Sequence, residues 1–261
     1  TSGVWLLDSI RRYEGEERND GTFAAELAKG FDAYVNNAFA VSHRNHASVS
    51  AIARVLPAYA GFLIEEEVSA LRQAIDAPSD GKVVVMGGAK TETKVPVIKN
   101  LLPKAEYIIL GGVLANDVAR VRGDDIKASN IDENSEALLK GINVHDPRLI
   151  LPVDYVYDGD RIWDVGPRSL DVFRPLIEQA RMVIWNGPVG FFEKPGFEKG
   201  TQALAQCIAS SSAQKIIGGG DTVSAVHQLG IEGSFDFIST GGGAMLCFLA
   251  GESLPGIEIF R

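Results

Sequence analysis

Three clusters of residues in this 261-residue chain have the types and spacing to act on an anion. The first is Gly218-Gly219-Gly220-Asp221-Thr222, which follows Lys215-Ile216-Ile217 and precedes apolar residues at Val223, Val226 and Leu229. This reads as a strand, a turn without side chains, and the first turns of an amphipathic helix. A helix start leaves four N–H groups unpaired and carries the positive end of the dipole, so a phosphate can bind there without any basic side chain. Asp221 suits the Mg²⁺ that accompanies a polyphosphate. The same residues also describe a tight βα turn with Asp221 as N-cap.

The second cluster, Gly87-Gly88-Ala89-Lys90-Thr91-Glu92-Thr93-Lys94, places two lysines at i and i+4 on one face of a helix start. Cations there oppose the dipole at roughly a few tenths of a kcal/mol each, and an anionic ligand removes that cost. Lys90, directly behind the glycines, reads as a phosphate ligand; Lys94 could instead pair with Glu92 or face solvent. The third cluster is Arg11 and Arg12 after an expected strand Val4–Leu7, together with His43-Arg44-Asn45-His46 after an expected strand Asp32–Val35. Open α/β sheets bind ligands just past such strand ends, and arginine donates bidentately to carboxylate and phosphate. Arg11 and Arg12 also fit a solvated turn with Glu14, Glu16 and Glu17. His43 and His46 are three apart, but no Cys or carboxylate at ligating spacing joins them, so a metal is not expected there.

The elements that must position these clusters differ along the chain. Before residue 60, the two expected strands flank a helix at Thr22–Ala28 capped by Asp20 or Thr22. Two strands cannot close a core, so this segment either borrows strands from elsewhere or belongs to a domain that is only partly present. Ile64, Val68, Leu71 and Ile75 then mark one face of a long helix, with Glu65-Glu66-Glu67 expected outward. Ala77-Pro78-Ser79-Asp80-Gly81 breaks the chain and sets the expected domain boundary.

Beyond it, strand-like runs at Lys82–Met86, Tyr107–Leu110, Leu149–Val153, Met182–Trp185, Lys215–Ile217 and Asp236–Ile238 alternate with helical segments, and a further run lies at Ile162–Val165. This is the pattern of a parallel sheet covered on both faces. Glycine-rich turns follow five of the strands: Gly87-Gly88, Gly111-Gly112, Asn186-Gly187-Pro188, Gly218-Gly219-Gly220 and Gly241-Gly242-Gly243. In a parallel sheet they share one edge, and together they describe a cleft that meets a polyanion with backbone.

Composition narrows the function. A net charge of -9 argues against a general nucleic-acid binder, and any phosphate site must be a local basic pocket. The two cysteines, Cys207 and Cys247, lack CxxC spacing and read as free thiols of a reducing cytoplasm. No run approaches about 18 apolar residues and the start has no signal-peptide pattern, so no membrane association is expected and a cytoplasmic location is. Gly81-Lys82 is followed by Val83, so there is no P-loop, and no GxGxxG opens the first βα unit.

Taken in order from Leu6 to the end, the motifs resemble phosphoglycerate kinases. Those that carry the resemblance are Leu6-Leu7-Asp8-Ser9-Ile10-Arg11, Tyr34-Val35-Asn36-Asn37-Ala38-Phe39, His43-Arg44-Asn45-His46-Ala47-Ser48, Gly87-Gly88-Ala89-Lys90 with Lys94, Asp164-Val165-Gly166-Pro167, Trp185-Asn186-Gly187-Pro188 with Phe192-Glu193, the GGGDT loop, and Ser239-Thr240-Gly241-Gly242-Gly243-Ala244. The resemblance implies an α/β fold of two Rossmann-like domains joined by a helical hinge. Residues 1–77 would form a partial 3-phosphoglycerate domain plus hinge helix, 78–245 the nucleotide domain, and 246–261 a tail returning toward the first domain. It implies reversible phosphoryl transfer between 1,3-bisphosphoglycerate and ADP, with Mg²⁺ accompanying ATP or ADP; the alternative is a truncated or pseudoenzyme nucleotide-binding module without turnover.

By the same resemblance, Arg11, His43 and Arg44 bind 3-phosphoglycerate. Gly88, Ala89, Lys90, Lys94, Gly111, Gly112, Asn186, Pro188, Gly190, Glu193, Gly219, Gly220, Asp221 and Thr222 bind the nucleotide, and Asp221 holds Mg²⁺. Lys90 and the N–H groups of Gly219, Gly220, Gly242 and Gly243 stabilise the transferring group. The family's first strand ending in Asp-Phe-Asn, a further Arg and its His-x-Gly-Arg-Pro loop have no counterpart here, so the chain is expected to begin after them. Full-length relatives are expected to be monomers, and this chain to self-associate through an incomplete sheet. Asn37 stands where the family usually has Asp, Thr93 where it often has Asp, and Met245 where it usually has Ser or Thr.

Overall fold

The computed structural model describes residues 3–260. Thr1 and Ser2, at the head of the expected first domain, and Arg261, at the end of the expected tail, lie outside the described residues. By internal contacts the chain forms two compact units, one of residues up to Val68 together with those from Ser253 onward, the other from Ser69 to Glu252.

In the first unit, α1 (Glu14–Glu17) and α2 (Gly21–Ala28) precede a two-stranded parallel sheet of β1 (Tyr34–Asn36) and β2 (Ala58–Ala60). Asp20 is the cap of α2, accepting the Phe23 N–H at 2.8 Å. Ala24, Ala47, Ala51 and Ile52 form a small core with Phe23, Leu27, Tyr34 and Leu56 around it. The expected strand Val4–Leu7 is not formed: Val4, Trp5 and Leu6 are at least 80% exposed in irregular chain. An apolar run becomes a strand only beside a partner, and β1 pairs instead with β2, a three-residue strand between Pro57 and Gly61 that is too short to read from pattern.

α3 (Phe62–Asp76) begins in the first unit and ends in the second. Asn37 Oδ1 accepts the Leu63 N–H at 2.8 Å at its start. Glu65 and Glu66 face outward as expected, whereas Glu67 is buried. It lies three residues after Ile64 and four before Leu71, which puts it on the apolar face.

The second unit is a six-stranded parallel sheet. β3 (Lys82–Met86), α4 (Thr91–Leu101), β4 (Tyr107–Leu110), α5 (Gly112–Arg122), α6 (Ser135–Leu138) and β5 (Leu149–Ile150) come first. A hairpin of β6 (Tyr155–Asp158) and β7 (Arg161–Val165) follows, then α7 (Pro167–Glu178), β8 (Met182–Asn186), α8 (Lys199–Ser210), β9 (Gln214–Gly218), α9 (Gly220–Leu229), β10 (Phe237–Ser239) and α10 (Gly242–Leu249). The spatial order is β10-β9-β8-β3-β4-β5, which is the doubly wound arrangement with its reversal between β3 and β8. The α/β class read from the sequence is the class observed.

Two expected strands differ. The run Leu149–Val153 pairs only over Leu149–Ile150, because Pro152 has no N–H to give the ladder. Ile162–Val165 leaves the sheet and pairs antiparallel with β6 instead. Every residue of β3 and β8 is buried, and Val83, Val85, Val183 and Trp185 pack with Phe173 and Ile177 of α7 and Leu204 and Ile208 of α8. Among the described residues no helix is long and apolar enough to cross a membrane. Finally α11 (Pro255–Glu258) packs in the first unit, where Gly256 N–H donates to Ser42 O at 2.9 Å and Asn36 Nδ2 donates to Gly256 O at 2.8 Å.

Candidate functional site

All six strands of the large sheet run the same way, so the glycine turns open on one edge. Those leaving β3, β4 and β8 meet backbone to backbone at the reversal of strand order. Gly87 N–H donates to Asn186 O at 3.0 Å and Gly112 N–H to Val189 O at 2.9 Å. Gly112 is left-handed at φ 59°, and a Cβ on it would lie 2.7 Å from Gly88 N. Side chains are excluded here by contact, and peptide groups line the edge.

Farther along, α9 and α10 both start at glycines, and neither start is capped by a side chain. Gly219 sits at φ 96°, and a Cβ on Gly242 would lie 3.5 Å from the Gly219 Cα. Two positive helix ends therefore converge, a natural seat for an anion. Asn186 is buried beside them, its Nδ2 3.1 Å from where a Gly219 Cβ would be and 3.8 Å from Met245 Sδ. Thr222 is buried and ties the turns together, its Oγ1 accepting the Gly187 N–H at 2.6 Å.

Lys90 is the exposed residue preceding α4, and Lys94, one turn on, is buried with its ammonium 3.4 Å from the Cβ position of Gly88. Burial brings the Lys94 amine down to about 8, with the Lys90 charge adding to the shift and Asp221 opposing it. Lys94 thus feels the charges of both Lys90 and Asp221 at the edge.

Beside them is a cavity of about 360 Å³. Gly88, Ala89, Gly112, Pro188, Gly190, Glu193 and Asp221 line it. Gly111, Asn186 and Thr222 lie buried behind the turns, and Lys90, Lys94, Gly219 and Gly220 are not among its lining residues. The cavity also takes in Asn116, Tyr155, Trp163 and Phe191, which the site reading from sequence missed. For Tyr155 and Trp163 the signal was the Gly159-Asp160 turn between two β-rich runs, a hairpin marker that brings both to the wall. Asn116 Oδ1 and Trp163 Nε1 are buried without a partner. Asp164 borders the same cavity. Its carboxylate accepts the Gly200 and Val165 N–H groups at 2.7 and 2.8 Å, yet burial pushes it up to about 6.

In the first unit, His43, Arg44 and His46 share one loop, and burial, then the charges of Arg44, His46 and Arg11, bring the His43 imidazole below its ordinary value. His43 Nδ1 and Arg44 Nε are buried without a partner. The loop carrying them is tied to α1 through the buried Glu16, whose carboxylate accepts the Ser48 N–H at 2.9 Å and hydroxyl at 2.6 Å. Clustered cations with unused donors suit an anionic ligand.

The profile of the family described as phosphoglycerate kinase matches residues 1–252. The chain belongs to the phosphoglycerate kinase family. The phosphoglycerate kinase of Rubrobacter xylanophilus is 41% identical over 98% of this chain and 71% of its own length. That of Thermus thermophilus is 39% identical over 99% of this chain and 72% of its own. Among solved structures, phosphoglycerate kinase from Coxiella burnetii aligns with a TM-score of 0.83 at 35% identity, covering 96% of this chain and 70% of that one. The Pyrococcus horikoshii phosphoglycerate kinase gives 0.82 at 31%, with the same coverage. Phosphoglycerate kinases are phosphotransferases that act on a nucleotide, which accords with an edge built of peptide N–H groups and lysines.

Proposed function

We propose that this chain transfers a phosphoryl group reversibly between 1,3-bisphosphoglycerate and ADP, with the glycerate on Arg11, His43 and Arg44 and the nucleotide on the sheet edge of the second unit. The observation that carries the reading is the meeting of two uncapped glycine helix starts beside Lys90, Lys94 and Asp221.

Phosphoryl transfer needs positioning and charge neutralisation more than covalent chemistry. The cavity seats the nucleoside between Gly88, Ala89 and Gly112 on one side of the edge and Pro188, Gly190 and Glu193 on the other, with Gly111, Asn186 and Thr222 fixing the turns. Lys94, buried beside Gly88, gives its ammonium to the nucleotide phosphates. Lys90 and the N–H groups of Gly219, Gly220, Gly242 and Gly243 neutralise charge that develops on the transferring group. Asp221 would hold Mg²⁺. Among the described residues no group of three or more His, Cys, Asp or Glu forms a protein-only metal cage, and one carboxylate fits an ion that takes its other ligands from phosphate and water. When bound, that ion supplies charge neutralisation on the phosphates. The two free cysteines support a cytoplasmic location.

Calorimetric titration with Mg-ADP and then 3-phosphoglycerate, followed by a coupled assay on the same sample, tests the reading. Binding of both with turnover is expected. Failure of Mg-ADP to bind would sink it.

A further inference from the structure

Two segments supply much of the cavity wall: the β6–β7 hairpin, through Tyr155 and Trp163, and the loop after β8, through Phe191 and Glu193. One backbone hydrogen bond joins them, from Phe191 N–H to Trp163 O at 2.8 Å. A further link is Lys194. Its ammonium lies over the Trp163 ring, 4.0 Å from the centroid, and over the Phe197 ring at 4.8 Å, and it donates to Asp158 Oδ2 at 2.8 Å. Trp163 in turn packs on Phe191 and Phe197, with centroids 5.3 and 5.8 Å apart.

In the sequence, Lys194 before Pro195-Gly196 looks like a solvated charge on a loop. In the fold its side chain is 34% exposed and ringed by two aromatic faces and a carboxylate. The ion pair with Asp158, itself 58% exposed, contributes little alone. Attraction between the ammonium and the ring faces is what makes the site specific.

We propose that Lys194 is a positioning residue for the nucleotide: its ammonium, caged by Trp163, Phe197 and Asp158, holds the Phe191–Glu193 loop against the hairpin and keeps the nucleoside end of the cavity formed before the ligand arrives. This rests on the nucleotide reading above. A pre-organised wall saves the ordering cost of binding, so loosening it weakens the nucleotide complex through faster dissociation. Lys194 lies outside the reacting groups, so the chemical step is untouched.

The test measures the Kd and dissociation rate of Mg-ADP, Trp fluorescence, and kcat and both KM values for wild type, K194A, K194M and K194R. K194A and K194M are expected to weaken ADP by about three- to tenfold, mostly in the dissociation rate, and to shift the Trp emission. The glycerate KM and kcat stay at wild-type values, and K194R restores ADP binding because a guanidinium serves both rings and carboxylate. K194M with wild-type ADP affinity would overturn the proposal, since it keeps the packing and lacks only the charge. So would a loss shared equally by the glycerate KM and kcat. Wild-type protein that binds no ADP overturns the nucleotide reading itself, and the proposal with it.

Discussion

Gly242 faces Gly219 so closely that a Cβ on the former would lie 3.5 Å from the Cα of the latter. At Gly242 that is ordinary contact, so Gly242→Ala folds, but its methyl group enters the seat between the helix ends. We expect its melting temperature within a few degrees of wild type and kcat lower by about 10²-fold, the scale of losing one preorganised oxyanion contact. Gly219→Ala differs because φ is 96° there. It should lose about 1–2 kcal/mol of stability as well, measurable by denaturant unfolding.

Lys94 makes nucleotide binding proton-linked. Its amine stands at about 8 in the free protein, down from 10.5, chiefly because it is buried. Phosphate beside it favours the charged form and raises that value. At pH 8, Mg-ADP binding should take up on the order of half a proton, and almost none at pH 6, where Lys94 is already charged. Calorimetry in buffers of different ionisation enthalpy reads this directly. Lys94→Met should abolish the uptake, and uptake that survives in it would place the proton elsewhere.

Asp164 should make the second unit less stable as pH rises from about 4 to 7. Its carboxyl titrates at about 6 in the fold against 3.8 for the ordinary group, because it is buried. A raised folded value means that the native state holds the proton more tightly. The contribution is complete below pH 4 and lost as pH climbs through 6, about 3 kcal/mol in all. Urea unfolding of wild type and Asp164→Asn at pH 4.5 and 7 checks this: the wild type alone should lose about 2 kcal/mol of it between those two pH values.

Asn37 supplies a neutral acceptor to the Leu63 N–H at the start of α3. An aspartate would keep the acceptor and add a negative charge at the positive helix end. Asn37→Asp should stabilise the fold by about 0.3–1 kcal/mol at low salt and less at high salt. A midpoint in chemical denaturation that does not move would show that the dipole is already screened there.

Local pattern carried the second unit a long way. Lys82–Met86 and Tyr107–Leu110 are strands to the residue, because apolar runs cut by glycine leave one option for a buried strand. Gly219 and Gly242 were legible as glycines at two helix starts, because an apolar run, then glycines, then an amphipathic run marks a βα turn. The hairpin at Tyr155–Val165 was not placed, since the apolar run Ile162–Val165 looks the same in a parallel sheet and in a ribbon.

What the sequence determined by itself was the set of turns, the α/β class and the family, since these follow from residue type and order along the chain. Tertiary structure decided what depends on partners distant in sequence. Val4–Leu7 is exposed irregular chain, and β1 finds its partner in Ala58–Ala60. Glu67 is buried by its place on a helix face, and Lys194 becomes a caged cation only because the chain returns Trp163 and Asp158 to it from more than 30 residues away. Pairing and burial are set by neighbours in space, and a linear pattern of residues records only the capacity for them.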